Sequence, residues 1–578
     1  MANVLDLADL ESALGAAPSG SQAEPSEDQR RALKDASRAA RKADRPALVA
    51  KAIAAVDGGD NLEGARLALR AVKQYPDCLQ AYVAAAVALD RLGFLAEALA
   101  FYEQALARSP NDPTICALLG AAALRYRQPQ LAEQFFRLAL QLEPGAVGHL
   151  NNLAGVLRDL GRFEDAIELL RQRLTLAPEE AALWNTLGTI VQEQGDAETA
   201  LTFIAEAARL DPKLASAHHN SALALNDLGR YAEAAAALDR AIALATSDTD
   251  RAEMRGARGY AHLGAGNFAK GWADYEARFD PLTREPAYIR AAASRWDVST
   301  SLAGKHLLVI GEQGLGDEVV FMNALADATA AASTLTIACE PRLIPVVARS
   351  FPNARAVPHL TQHANGRLYR AVAEEYWKGI DVWAPLGDLP KAFRLSLADF
   401  PSARGYLRAD PARVAAFKGQ LAPGMNIGIA WKSLVMTGKR ARSFAPFAAW
   451  APLLKSGANF YPLQYGDIAA EEKYAAESLG APLRRFAELD IKNDLEGVAA
   501  AGCALDLVIG PPNASTNLAA ACGAETWFIT RYATWPMFGT ESMPWYPQSR
   551  VFRAGEDGSW RTIFEAMKAA LGARALAA

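Results

Sequence analysis

The stretch "LWNTLGTIVQEQGDAETALTFIAEAARLDP", Leu183–Pro212, holds one full period of the pattern that organises the first half of the chain. Apolar residues recur at helical spacing on both sides of Gly195, and the segment closes on Pro212. This spacing gives each of two helices one apolar stripe. Gly195 falls in the turn between them, the small Ala200 lets the pair pack closely, and Pro212 ends the second helix. The marks repeat along the chain. Pro76, Pro110, Pro144, Pro178 and Pro212 lie 34 residues apart. Ala98, Ala132, Ala166, Ala200 and Ala234 keep the step. So do Gly93, Gly161, Gly195 and Gly229, with Arg127 standing in the remaining place.

A helix–turn–helix unit of this period resembles the tetratricopeptide (TPR) pattern. About six units run from near Ala43 to Ser247, and a looser one continues through "GNFAKGWADYEARF" to about Asp280. Stacked units form a superhelix with a concave face suited to a protein or an extended peptide. Asn152, Thr186 and Asn220 hold equivalent places on first helices. They either grip a peptide backbone along the groove, as acceptor-binding residues, or are solvated on an outer face. His218 and His219 read as polar groove residues rather than metal ligands.

The chain has 578 residues, too many for one core, and a composition of 51% hydrophobic and 22% charged residues suits folded domains. A net charge of −5 gives no reason to expect a nucleic-acid partner. The five cysteines form no CxxC pair, so neither a zinc site nor a disulfide framework is suggested. The start, "MANVLDLADLESALG", carries acids where a signal peptide carries lysines, and no apolar run is long enough to span a membrane. A soluble, cytoplasmic protein is expected. Residues 1–42 contain "GAAPSGSQAEPSEDQ" and read as a flexible segment.

After Trp296 the period changes. "HLLVIG", "LTIACE", "NIGIAW", "NFYPLQ", "DLVIG" and "ETWFIT" are short strand-like runs, most of them separated by helical segments. Alternating strands and helices predict parallel sheets covered on both faces. The region is long for one sheet, and the proline-marked stretch "DFPSARGYLRADPARVAAFKGQLAPG" divides it. The expected organisation is a flexible segment over 1–42, a TPR array over 43–280 and a connector over 281–299. Rossmann-like halves follow over 300–410 and 411–578, facing a cleft.

The first strand runs into "GEQGLGDE", Gly311–Glu318. Gly311 and Gly316 have Walker A spacing, but Asp317 and Glu318 replace the lysine and hydroxyl, and an acid there repels a triphosphate. The order Gly-x-x-Gly-x-Gly is not the dinucleotide fingerprint either, although Glu340 ends the next strand where a ribose-binding acid belongs. A third reading fits better: the glycines allow close backbone approach, and the acid does chemistry on an acceptor.

That turn resembles the glycine-rich turn of heptosyltransferase-type glycosyltransferases. The similarity continues through "IAWKS", "LQYGD", "ALDLVIGPPNASTNLAAACGAETWF" and "MPWYPQSRVFR". With a TPR array in front, the chain is similar to bacterial TPR-glycosyltransferases, nearest to those that attach pseudaminic-type nonulosonic acids to flagellin. The resemblance implies an N-terminal TPR solenoid followed by a GT-B unit of two Rossmann-like halves. It also implies transfer of a sugar to serine or threonine of a protein acceptor, flagellin, recruited by the repeats. The donor is then a nucleotide sugar, CMP-linked, with no other cofactor. One departure stands out. Relatives carry an acid and a histidine where this chain has Pro512 and Asn517, with Asn513 in place of Ser or Thr.

The only Asp-x-Asp, Asp248-Thr249-Asp250, falls in the repeats, so metal-independent transfer is expected. "AWKSLVMTGKRARSF" supplies Lys432, Lys439, Arg440 and Arg442 after a strand, as a phosphate- or carboxylate-binding loop or as a solvated basic loop. With these, Gly314, Gly316, Gln464, Asn513, Ser515, Thr516 and Asn517 make up the expected nucleotide-sugar site. Asp317 is the candidate base for an inverting displacement, with Glu312 as runner-up. Trp545 and Tyr546 either stack on a ligand or pin a loop, and Trp535 reads as a loop residue. The competing functional class is a non-catalytic TPR adaptor with a degenerate sugar-nucleotide domain.

Overall fold

A computed structural model describes residues 45–283, 286–364, 367–433, 436, 443–554 and 559–577. The segment 1–42 and the basic residues Lys439, Arg440 and Arg442 lie outside the described residues. Fourteen α-helices, from Arg45–Asp57 to Phe268–Tyr275, form the repeat array. Each inter-helix glycine turn is left-handed, with φ of 86° at Gly93, 73° at Gly161, 84° at Gly195 and 71° at Gly229. Arg127, in the glycine's place, takes the same conformation at φ 57°. That costs a side-chain residue about 1 kcal/mol, which the packing of its repeat offsets.

The chain divides into two compact units, Met1–Ile190 and Val191–Ala578. In the first, the in-phase Ala98, Ala132 and Ala166 are buried, and aromatic residues such as Tyr82, Phe101 and Tyr102 fill the space between helices. In the second, Ala200 and Ala234 play the same part. Here the last repeats share one apolar core with the α/β region: Leu263, Phe268 and Trp272 pack with Phe321, Phe538 and Trp545. The Phe268 and Phe538 rings stack at 4.7 Å, and Trp272 Nε1 donates to the Arg394 carbonyl at 2.8 Å.

The α/β region holds two sheets. The first has seven strands: β1 (Tyr288–Arg290), β2 (Ser294–Arg295), β3 (His306–Ile310), β4 (Thr334–Cys339), β5 (Ala354–Ala364), β6 (Arg367–Val372) and β7 (Val382–Pro385). Their order is β1-β6-β5-β4-β3-β7-β2, parallel except for the antiparallel pair β5–β6. The second sheet has β8 (Asn426–Ile429), β9 (Asn459–Pro462), β10 (Leu507–Gly510), β11 (Thr526–Thr530) and β12 (Ser549–Arg553). Its order is β12-β11-β10-β8-β9, parallel throughout. The six predicted strand runs are β3, β4, β8, β9, β10 and β11. The order in which strands are added reverses between β3 and β7 in one sheet and between β8 and β10 in the other, the positions where parallel sheets open a crevice at strand C-terminal ends. Helix Leu315–Phe321, after β3, packs against helix Ala514–Ala521, after β10. Among the described residues no helix is long and apolar enough to cross a membrane.

Candidate functional site

The glycine turn after β3 is held from several directions, and its two acids point different ways. Glu318 turns inward and is buried: His359 Nε2 donates to its Oε1 at 2.8 Å, and the Glu340 amide donates to its Oε2 at 3.0 Å. Arg370 lies 3.6 Å from the same carboxylate and donates to the Gln313 carbonyl at 2.8 Å. Gly311 leaves room here for the Glu318 carboxylate: a Cβ would sit 2.5 Å from its carboxyl carbon. Asp317, one residue earlier, is exposed and lines a cavity of about 430 Å³. Gly314 caps this helix and accepts from the Asp317 amide at 2.9 Å.

Glu312 does not line that cavity. Its carboxylate is 3% exposed, accepts from the Gly387 amide at 3.1 Å and from Arg278 Nη2 at 3.3 Å. Arg278 closes the last repeat, lies against the Tyr275 and Phe279 rings, and makes its shorter bond, 2.6 Å, to Asp388. Burial raises the Glu312 pKa from 4.5 to about 7, with Arg278 opposing and Asp388 adding to the shift. The runner-up base is thus a buried tether between the repeats and the glycine turn.

The far wall comes from the second sheet. Asn513 caps helix Ala514–Ala521, its Oδ1 accepting from the Thr516 amide at 3.0 Å. Ser515, Thr516 and Asn517 are buried. Asn517 Nδ2 donates to the Gly316 carbonyl at 3.4 Å, and Gly316 comes close enough that a Cβ would lie 3.7 Å from the Ala514 amide. Asn517 therefore ties the second sheet's helix to the glycine turn. Pro511, Pro512 and Asn517 line the cavity beside Asp317, together with Trp535, Trp545 and Tyr546. Trp545 is also pinned, its Nε1 donating to the Pro536 carbonyl at 3.1 Å. Burial raises the Tyr546 phenol well above its usual pKa, and the Asp317 charge adds to the shift.

Lys432 and Gln464 lie outside this lining. Lys432 Nζ is engaged by Glu471 at 2.5 Å and the Asp467 carbonyl at 2.9 Å. Gln464 Oε1 accepts from the Trp431 and Lys432 amides, both at 2.9 Å, and so fixes the turn after β8. Gln464 does line a second cavity, of about 520 Å³, with Tyr465, Arg485 and Glu488–Lys492 at the end of β9. Two lining features escaped the sequence reading. Arg531 enters the first cavity directly after β11, a strand end that "ETWFIT" already marked. The repeats also reach the cavity, through Gln192, Gly195, Asn226, Asp227 and Tyr231. Gly229 packs against the 531–535 segment, where a Cβ would be 2.9 Å from that of Ala533, and Tyr231 OH donates to the Ala533 carbonyl at 2.9 Å.

Of the acceptor candidates, Asn152 is exposed, and Thr186 and Asn220 are half-buried. Thr186 spends its hydroxyl on the Ala182 carbonyl of its own helix, 3.0 Å away. Among the described residues no group of three or more His, Cys, Asp or Glu is arranged to hold a metal ion.

Known proteins match both regions. The family model "Cilia and flagella-associated protein 70 middle TPR-like domain" matches residues 82–211, and two tetratricopeptide repeat models match residues 49–113 and 215–248. "Protein FlbA" of Caulobacter vibrioides is 38% identical over 531 residues, covering 90% of this chain and 89% of that protein. The chain belongs to the FlbA family. A match of that extent takes in most of both the repeats and the α/β region. The human "Cell division cycle protein 16 homolog" is 33% identical over 92 residues, 14% of this chain and 15% of that protein. A solved structure titled "Functional Characterization of Pseudomonas Aeruginosa pilF" covers 34% of this chain and 86% of its own at 22% identity, with a TM-score of 0.27, a likeness too slight to build on.

Proposed function

We propose that this TPR protein is a glycosyltransferase of GT-B type that moves a sugar from a nucleotide donor to a serine or threonine hydroxyl of a protein acceptor. The observation that carries this reading is the cavity between the glycine turn and the ends of β10 and β11, with Asp317 on one wall and Asn517 on the other. It lies where parallel sheets bind ligands. An exposed carboxylate there can take the proton of an attacking hydroxyl, and direct attack across the cleft inverts the anomeric carbon. The second cavity, at the end of β9 with Gln464 in its wall, suits the nucleoside. Repeat residues on the rim of the first cavity support an acceptor delivered by the array. The family resemblance supports flagellin as acceptor and a CMP-linked nonulosonic acid as donor.

The reading is tested by intact-mass analysis of flagellin and other secreted proteins from cells lacking the chain. A mass loss restored by the wild type but not by Asp317→Asn is the expected result; unchanged masses would sink it. The adaptor reading draws on one observation: Lys432 is neutralised by Glu471 rather than offered to a phosphate. It predicts that Asp317→Asn restores everything the wild type does.

A further inference from the structure

Two cysteines that lie far apart in sequence come together in the second sheet's helices. Cys503 lies near the end of helix Leu495–Ala504, and Cys522 caps helix Ala514–Ala521. The two helices pack closely: a Cβ on Gly502 would sit 2.7 Å from the Ala519 Cβ. Cys503 follows that glycine, and Cys522 stands one turn beyond that alanine. The Cys503 thiol reaches the end of the neighbouring helix, 3.5 Å from the Cys522 carbonyl oxygen. Neither cysteine is in a disulfide and both are half-buried, whereas Cys78, Cys116 and Cys339 are fully buried.

The two thiols are chemically unequal. The Cys522 thiol hydrogen-bonds to Cys503, and this bond, together with the Lys418 charge, lowers the Cys503 pKa against the opposing effect of burial. The same bond and burial push the Cys522 thiol well up. A thiol of lowered pKa with a second thiol beside it is the arrangement of an attacking and a resolving cysteine. The end of the Cys522 helix also carries a load. The segment joining the two sheets crosses it: the Tyr406 and Leu407 amides both donate to the Ala521 carbonyl at 2.9 Å. Gly405 comes so near that a Cβ would sit 2.7 Å from the Gly523 nitrogen. Tyr406 OH then donates to the Val319 carbonyl at 2.7 Å, on the helix that bears Asp317.

We propose that Cys503 and Cys522 form a reversible disulfide when the protein meets a peroxide, and that the bond latches the segment joining the two sheets. The Cys503 thiolate attacks one peroxide oxygen, the O–O bond breaks, and the departing hydroxide takes up the thiol proton as water. Cys503 is then a sulfenic acid. The Cys522 sulfur attacks the Cys503 sulfur, the S–O bond breaks, and the hydroxyl leaves with the Cys522 proton as a second water. Two thiols give up two electrons, and one peroxide is reduced to two waters. A dithiol reductant reverses the bond by exchange. The inference does not depend on the glycosyl-transfer reading.

The test is hydrogen peroxide treatment of the full chain, read by intact mass, peptide mapping and hydrogen exchange. The expected product is lighter by two hydrogens, about 2 Da, and yields a Cys503–Cys522 cross-linked peptide; dithiothreitol restores the starting mass. Exchange of the Tyr406 and Leu407 amides should slow on oxidation and recover on reduction. Cys503→Ser and Cys522→Ser should each abolish both the mass loss and the slowing, and either one carries the comparison if the other fails to fold. Cys503 driven to a sulfinic acid without pairing, or bridged only to a second copy of the chain, would overturn the proposal. A Cys503–Cys522 bond that leaves exchange at Tyr406 and Leu407 unchanged would overturn the latch.

Discussion

Glu312→Gln should make the protein more stable at alkaline pH and leave it unchanged in mild acid. The carboxylate is buried, and the cation nearest to it gives its shorter bond to Asp388, 2.6 Å against 3.3 Å to Glu312. Ionising Glu312 in that site is therefore unfavourable, which is why burial raises its pKa from 4.5 to about 7. Below the unfolded value both states are protonated and the group is neutral to stability. Between the two values the folded state holds a proton that the unfolded chain has released, so stability falls as pH rises. At about 1.4 kcal/mol per pH unit, the loss reaches about 3 kcal/mol and levels off above the folded value. Glutamine copies the protonated acid: its carbonyl can still accept from Gly387. The measurement is urea unfolding of wild type and variant at pH 4 and pH 8. The midpoints should coincide at pH 4 and separate at pH 8 in favour of the variant. A variant less stable at pH 8 would refute the reasoning, because Glu312 would then be an ionised partner of Arg278. Transfer activity should stay within about tenfold of wild type, since this carboxylate does not reach the cavity.

Asp317→Asn should cut transfer about 10²–10⁴-fold, the usual span for losing a general base, with melting temperature unchanged; near-normal turnover would reduce Asp317 to a helix-capping residue. Gly311→Ala should lower stability by about 3 kcal/mol in urea unfolding, because its Cβ would displace Glu318 from His359 and strand a buried charge. A midpoint close to wild type would mean that the turn yields more easily than its packing implies. Transfer should survive EDTA; activity abolished by chelation and rescued by Mg²⁺ or Mn²⁺ would contradict a metal-independent mechanism.

The repeats were legible because each period carries marks with a physical cause: a proline that stops a helix, an alanine at a close contact, a glycine with positive φ. Even Arg127, the exception in sequence, obeys the geometry, with a φ of 57°. The six strand runs were legible from their β-branched and aromatic content. The β5–β6 pair went unread although Asn365-Gly366, a hairpin signal, stands between its strands. What the pattern could not tell is how distant segments meet. Gly229 reads as one more turn glycine, yet it also makes room for Ala533, some three hundred residues on. Lys432 reads as a phosphate ligand because nothing local reveals that Glu471 reaches it. Asn517 reads as the loss of a catalytic histidine because its partner, the Gly316 carbonyl, lies on another sheet's turn.

The pair Asp317-Glu318 shows why a phosphate-like turn can end in acids. Consecutive residues on a helix point about 100° apart, so two acids in the first turn cannot share a role. Glu318 falls on the inner side, where His359 and Arg370 supply the partners that a buried carboxylate requires. Asp317 falls on the outer side, at the cavity. Three tethers fix the direction it faces. Glu318 holds the turn from behind, Asn517 from the facing sheet, and Arg278 reaches Glu312 from the end of the repeats. A positioned base must hold its geometry to within a fraction of an ångström, and a glycine-rich loop cannot supply that rigidity alone. The last tether gives the repeats a second role besides offering a groove. Their final turn is part of the support under Asp317, through the Arg278–Glu312 contact.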